Sequence, residues 1–321
     1  MKLLNPEQYY NSLYNAICNA KKRIILASMV MYADDTTMSI FEQILKAAKS
    51  GVKVDLYVDS GFRHLLIGSY PYSPRKHREL LGKTIDMFAR LADFGVAIHE
   101  LRQVGLNPFK GRCHIKASVV DDQVFSFGGI NFSGLSFKST DYMLHKTDQQ
   151  LAGKIADYLP KLKNKTMYDQ VIKIDDINHI LLDAGRTGCS VIYDKACLLS
   201  KKAKKIYYVS QMVPSGKLAK SIRSSDAVCY FNRASQGAGA IVLSLALDKA
   251  HARIKNSYKR SEYIHAKFIL FELNDGSKAL ISGSHNFSWR GVAYGTQEIA
   301  LYSKDETLWQ QLYDFMQKNI V

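Results

Sequence analysis

HIKASVVDDQVFSFGGIN, residues His114 to Asn131, is the stretch on which the fold is read. It has the form of a buried strand pair, yet it opens on a histidine and a lysine and closes on Gly128-Gly129-Ile130-Asn131. Alternate side chains of a strand share a face, so His114 and Lys116 are expected to point the same way. Burying both requires something polar or anionic opposite them, because an unpaired charge inside a protein is costly.

The pattern returns in HAKFILFELNDGSKALISGSHN, from His265 to Asn286. His265 and Lys267 are again one residue apart, and a carboxylate again follows the lysine by five positions: Asp121 after Lys116, Glu272 after Lys267. Each segment ends on a glycine-rich turn, GGIN or GSHN, followed by Phe-Ser. Two copies with the same tail mark an internal duplication.

The flanking sequence repeats a common grammar. A helix is expected over Glu7–Ala20, a strand over Arg23–Tyr32, and a second helix from Thr36 or Thr37 to Lys49, stopped by Gly51 before the strand VKVDLYVD. Strand, helix, glycine, strand is the βαβ signature of a mainly parallel sheet covered by helices. The basic segment SYPYSPRKHRELL, a helix near Gly82–Ala92 and the strand VAIHELR lead into the first motif. AKKRIILASMV (Ala20–Val30) is echoed by AKKIYYVSQMV (Ala203–Val213). A helix over Ser215–Ser224, a strand over Ala227–Phe231 and a helix near Ile241–Asn256 then lead into the second. The first half is longer between these landmarks, 114 − 20 = 94 against 265 − 203 = 62, which places an insertion around Gly61–Leu91. The join falls within Asp148–Arg186, where DYLPKLKNKT reads as a helix end and linker, so the halves are taken as residues 1–160 and 161–321.

Composition bounds the partners. The 321 residues carry 44 Lys and Arg against 29 Asp and Glu, a net charge of +15 that favours anionic partners, nucleic acid or a membrane surface. Five cysteines without a CxxC spacing suggest neither zinc nor a disulfide scaffold and fit a reducing compartment. Cys113 is expected to face away from its neighbour His114, as strand neighbours do. His285 is read as rim or backbone support, and His64, His77, His99, His145, His179 and His251 as surface or core residues. GAGA at Gly237–Ala240 lacks the setting of a phosphate loop. The start turns polar by Asn5, too early for a secretory apolar core, and the runs IILASMVMYA and GAGAIVLSLAL fall short of the ~18 residues that span a bilayer. A cytoplasmic chain, peripheral at a membrane, is expected.

The two segments are similar to the paired HxK(x4)D/E and G-S/G-x-N motifs of the phospholipase D superfamily, and the resemblance covers essentially the whole chain. It implies a duplicated α/β/α sandwich, two mainly parallel sheets facing across one shared active site, in a monomer that carries both motifs and needs no metal or cofactor. The chemistry agrees. A neutral histidine attacks an anionic phosphodiester more readily than a carboxylate would, and a second, protonated histidine can supply the leaving oxygen with a proton. His114 and His265 are these two groups, and which of them is the nucleophile is left open. Lys116, Lys267, Asn131 and Asn286 would hold the phosphate oxygens. The resemblance further implies that an acid downstream of each asparagine orients a histidine, and Asp141 and Glu298 stand in matching places. By the same resemblance Asp121 and Glu272 hold loops, with Gly129 and Ser284 supporting the turns; Gly129 in place of serine costs a hydroxyl donor.

Substrate is less determined, because one reacting set serves lipid and nucleic acid alike. AAKSGVKVDLYVDSG and the GGIN variant resemble cardiolipin-synthase-like and bacterial phospholipase D-like chains, so a phospholipid substrate on an anionic membrane is expected, by hydrolysis or headgroup transfer. The alternative is a nuclease acting on DNA or RNA, which the basic stretch Lys195–Arg223 would also suit.

Overall fold

The computed structural model describes residues 1–63, 73–101, 110–164, 167–236 and 252–321. Its first sheet has seven strands: β1 (Lys2–Leu4), β2 (Arg23–Ser28), β3 (Lys53–Asp59), β4 (Ala97–Leu101), β5 (Ala117–Val120), β6 (Gln123–Ser126) and β7 (Met143–Thr147), in the order β1-β7-β6-β5-β2-β3-β4. The second comprises β8 (Gln170–Lys173), β9 (Asn178–Ala184), β10 (Ala203–Ser210), β11 (Asp226–Phe231), β12 (Phe268–Leu273), β13 (Lys278–Gly283) and β14 (Gln297–Ser303). Its order, β8-β9-β14-β13-β12-β10-β11, retraces the first sheet, with the hairpin β12–β13 in the place of β5–β6 and β10–β11 in that of β2–β3.

The helices are α1 (Pro6–Cys18), α2 (Met38–Lys49), α3 (Pro74–Ala92), α4 (Gln149–Tyr158), α5 (Val191–Ser200), α6 (Gly216–Arg223), α7 (Trp289–Tyr294) and α8 (Glu306–Asn319). Alternation within the strands sends neighbouring side chains into different cores. In β12, Phe268 and Leu270 enter the core shared by the two sheets, whereas Ile269 and Phe271 enter the outer core beneath α5 and α6. The shared core also takes Val119 and Leu144 from the first sheet, Ile155 from α4, and Leu312 and Phe315 from α8. Helices α1, α2 and α3 close the outer face of the first sheet through Leu13, Phe41 and Phe88.

The two-sheet α/β organisation follows the expectation; the expected parallel pairing does not. Parallel pairs are confined to β2–β3, β3–β4 and β10–β11, and every other neighbouring pair of strands is antiparallel. The reason is local. A helix crossover joins β2 to β3 and β10 to β11, while Asp121-Asp122 turns β5 directly back into β6, and a direct turn can only join antiparallel strands. The linker segment also carries more structure than expected: 170–184 forms the antiparallel hairpin β8–β9 on the edge of the second sheet. Helix α3 begins at Pro74, eight residues before the expected start, with Ser73 accepting from Lys76 N. The helix expected near Ile241–Asn256 lies mostly outside the described residues, as do His64, His251 and the GAGA segment; within 252–256 only Ala252 is helical.

Candidate active site

The two motifs meet where the sheets are stitched together by backbone. Cys113 bridges Gln297, and Thr140 bridges Ile264. His114 N donates to Gln297 O at 2.8 Å, and His265 N to Thr140 O at 3.1 Å. Each histidine-bearing segment is thus paired with the segment of the other half that leads into an acid.

The side chains follow the backbone. His114 Nδ1 donates to Glu298 Oε2 at 3.0 Å, and His265 Nδ1 to Asp141 Oδ2 at 2.7 Å. A carboxylate on Nδ1 fixes the tautomer and leaves Nε2 of each ring as the basic nitrogen. Burial pushes both imidazoles down to about 4, helped by the ammonium groups of Lys116 and Lys267 and opposed by the acids, so both are neutral at pH 7. Burial alone would raise the Glu298 carboxyl, but His114, His285 and Lys116 outweigh it and hold it at about 2.

Lys116 is 1% exposed and Lys267 fully buried, an expensive placement for two ammonium groups. Each reaches back to the carbonyl of its own histidine: Lys116 Nζ donates to His114 O at 2.7 Å, and Lys267 Nζ to His265 O. Burial lowers their values to about 7 and about 8. Asn131 Oδ1 is 3.4 Å from Ser28 Oγ, and Asn286 Oδ1 has no partner among the described residues.

The glycine turns are shaped by the acid-bearing strands. A Cβ on Gly128 would overlap the carbonyl of Tyr142, one residue before β7, and one on Gly283 the carbonyl of Ile299 in β14; each of these residues directly follows its acid, Asp141 or Glu298. At the next position the halves differ in a compensating way. Ser284 Oγ donates to Glu298, whereas Gly129 leaves room for Asp141 and offers its backbone N–H to Oδ1 at 3.2 Å. A Cβ on Gly129 would lie 2.6 Å from both Asp141 Oδ2 and the His265 carbonyl. The missing hydroxyl is therefore replaced by an amide.

Asp121 takes the backbone N–H groups of Lys21, Lys22 and Arg23 at 2.8, 2.8 and 3.0 Å, tying the motif hairpin to the start of β2. Glu272 does nothing equivalent: it sits within β12, paired with Lys278, and accepts from Tyr207 Oη at 3.4 Å. Cys113 is a core residue whose thiol burial pushes up to about 12, which leaves no thiolate near neutral pH. His285 Nδ1 accepts from Phe287 N at 2.8 Å and supports the turn. Two residues outside the motifs hold one turn each. Ser28 Oγ accepts from Phe132 N at 3.1 Å, and Ser210 Oγ donates to Asn286 O at 3.0 Å.

The basic stretch Lys195–Arg223 does not gather at the site. Lys204 and Lys205 lie at the start of β10 with Lys201 and Lys202 just before it, and Ser210, which touches Asn286, ends it. At ~3.3 Å per residue, Lys204 is roughly 20 Å from that end. Lys217, at the start of α6, follows Ser215, whose hydroxyl accepts from Trp289 N beyond the second motif. In the other basic cluster Arg75, Lys76 and Arg78 are exposed, but His77 turns inward to the Phe62 carbonyl.

Residues 13–163 match the family described as cardiolipin synthase, PLD-like domain. The conclusion is direct. Residues 13–163 carry a PLD-like domain. Cardiolipin synthase B of Salmonella typhi is 31% identical over 131 residues, which cover 41% of this chain and 29% of that protein. The chain thus spans less than a third of the curated relatives it matches. Among solved structures, phosphatidylserine synthase of Haemophilus influenzae Rd KW20 superposes with a TM-score of 0.75 over 100% of this chain and 86% of its own, at 13% identity. Polyphosphate kinase from Porphyromonas gingivalis superposes at 0.64 over 98% and 46%, at 12% identity. These likenesses show a fold shared over both halves. Among the described residues no group of His, Cys, Asp and Glu could hold a metal ion, and no helix is long and apolar enough to cross a membrane.

Proposed function

We propose that the chain is a phospholipase D-type phosphatidyltransferase or phosphodiesterase that acts on phospholipids through a covalent phosphohistidine. The observation that carries this reading is the crossed pair of histidine–carboxylate bonds, His114–Glu298 and His265–Asp141, flanked by two buried lysines. Nε2 of one histidine attacks phosphorus, and the bond to the headgroup oxygen breaks as the other histidine supplies its proton. An alcohol or water then gives a proton to that second histidine and attacks the phosphohistidine, breaking the P–N bond. Both rings are neutral before substrate arrives, so the acid acquires its proton when the phosphodiester brings its charge into the site. Lys116, Lys267, Asn131 and Asn286 serve as the donors that hold the phosphate oxygens.

Two features support lipid: the cardiolipin synthase type of the family match, and the single chain that carries both halves of the site. The chain works at an anionic membrane surface as a peripheral protein, with Arg75, Lys76, Arg78 and Lys217 facing the lipid headgroups. Parallel incubation with phosphatidylglycerol, phosphatidylcholine and single-stranded DNA, with products identified by mass, tests the assignment. Phosphatidic acid from either lipid is expected for hydrolysis, or cardiolipin and free glycerol from phosphatidylglycerol for transfer. Cleaved DNA with both lipids intact would replace this reading with a nuclease.

A further inference from the structure

Asp59 and Asn232 are buried polar residues outside both motifs, 1% and 2% exposed. They occupy one place in the duplicated fold: Asp59 is the last residue of β3, and Asn232 follows the last residue of β11. Asp59 Oδ2 accepts from Cys113 N at 2.6 Å, and Asn232 Oδ1 accepts from Ile264 N at 2.9 Å. Cys113 and Ile264 are the residues immediately before His114 and His265. The next N–H in each segment, that of the histidine itself, goes to the opposite half, to Gln297 O and Thr140 O. Each histidine-bearing segment is therefore fixed from two sides, by its own half through Asp59 or Asn232 and by the other half through the acid-bearing segment.

We propose that Asp59 and Asn232 are a matched pair of positioning residues, each setting where one histidine stands relative to the acid of the opposite half. The proposal rests on reading His114 and His265 as the reacting pair. The two residues use different chemistry. Asp59 serves N–H donors alone: Oδ1 accepts from Gly61 N at 2.7 Å and from Arg112 Nε at 2.7 Å, besides Cys113 N on Oδ2. Arg112 is its buried counter-ion, and a side chain on Gly61 would occupy the space of that guanidinium. Asn232 serves both kinds of partner, donating through Nδ2 to Ile264 O at 2.7 Å and to Gln211 O at 3.1 Å. The residues are equivalent in place but not interchangeable. An amide at 59 sets an NH2 group against N–H donors, and a carboxylate at 232 sets an oxygen against two carbonyls.

The test reads the histidines themselves, so it does not depend on the substrate. In protein labelled with 15N-histidine, the Nδ1–H protons of His114 and His265 are assigned by His114→Ala and His265→Ala and then followed in Asn232→Ala and Asp59→Asn. Where Asp59→Asn alone unfolds the chain, Asp59→Asn/Arg112→Met removes the unpaired guanidinium as well. Asn232→Ala should move the His265 resonance and leave His114 in place, and the Asp59 variants should do the reverse. In an assay that turns over, kcat should fall roughly tenfold to a hundredfold with KM within about twofold, as for displacement of a reacting group. Resonances that stay put, or that move together in each variant, overturn the proposal. Selective shifts in a protein that turns over no phospholipid would leave the positioning roles standing and remove the lipid reading instead.

Discussion

His114 and Glu298 are 184 residues apart in sequence, and Nδ1 of one lies 3.0 Å from Oε2 of the other. The reciprocal bond, His265 to Asp141, spans 124 residues at 2.7 Å. Each half supplies one histidine and the carboxylate for its partner's histidine, so neither half contains a complete pair. Under the proposed function this crossing gives the duplication its chemical use: both histidine–carboxylate pairs form only when the two sheets are joined.

Removal of either carboxylate's charge should disable the histidine of the other half. Glu298→Gln and Asp141→Asn are each expected to lower kcat by about 10²- to 10⁴-fold, the range seen when a histidine loses its tautomer-fixing acid. Adding Glu298→Gln to His114→Ala should cost little more than His114→Ala alone, because the pair acts as a unit. Steady-state kinetics with circular dichroism on the same samples checks both.

The pH dependence follows from the direction of four shifts. Both histidines have folded values of about 4, below the ~6.5 of an unfolded chain. The unfolded state therefore binds more protons below about 6.5, and the stability these groups contribute above that pH is lost as pH falls toward 4. For kcat/KM the acid limb should lie near 4, where the neutral nucleophile is lost. Above that value kcat/KM should fall as pH rises, because the acid takes up its proton on binding, and fall more steeply from about 7–8, where Lys116 and Lys267 lose the charge that meets the phosphate. Thermal melts and a kcat/KM profile across pH 4–9 read both; an acid limb at 6.5 would show imidazoles in a watery environment.

The Gly129 position should refuse the residue its counterpart uses. Gly129→Ser presses a side chain against Asp141 Oδ2 and the His265 carbonyl, with an expected loss of about 1–3 kcal/mol of stability and of most activity. Ser284→Gly removes one donor to Glu298 without a clash and should be the milder change in a denaturant titration.

Membrane binding should depend on where the charge sits rather than on how much there is. Arg75→Gln/Lys76→Gln/Arg78→Gln is expected to weaken sedimentation with phosphatidylglycerol vesicles, and added salt should do the same, since exposed charges act over about 8–10 Å. Lys201→Gln/Lys202→Gln/Lys204→Gln, at the far end of β10, removes the same charge and should have the smaller effect. Equal loss in both variants would mean that the protein is held by its net charge alone.

Much of this was legible in the sequence because motif residues carry their chemistry in their spacing. His-x-Lys, the glycine turns and the downstream acids could be read from two aligned copies. Which acid serves which histidine could not, since Asp141 lies much nearer to His114 in sequence and only the pairing of β7 and β14 segments with the opposite motif sends it to His265. The parallel sheet was over-read from βαβ units that cover only β2–β4 and β10–β11. Lys201–Lys205 is a dense run of positive charge, but charge density says nothing about which end of a strand it occupies. Asp59 and Asn232 escaped notice because each is a single polar residue after an apolar strand, in DLYVD and CYFN; aligning those two strand ends was the available signal.

The central claim, one site with one reacting histidine from each half, is tested most directly by trapping the covalent intermediate. A p-nitrophenyl phosphodiester has a leaving group that needs no proton, so the adduct can form without the general acid and cannot break down without it. His114→Ala and His265→Ala protein, each incubated with this substrate and quenched in base, are analysed by peptide mass. One variant should accumulate a single phosphoryl adduct on its remaining histidine, and the other none. Adducts in both variants, in neither, or on a residue other than His114 or His265 would contradict the account.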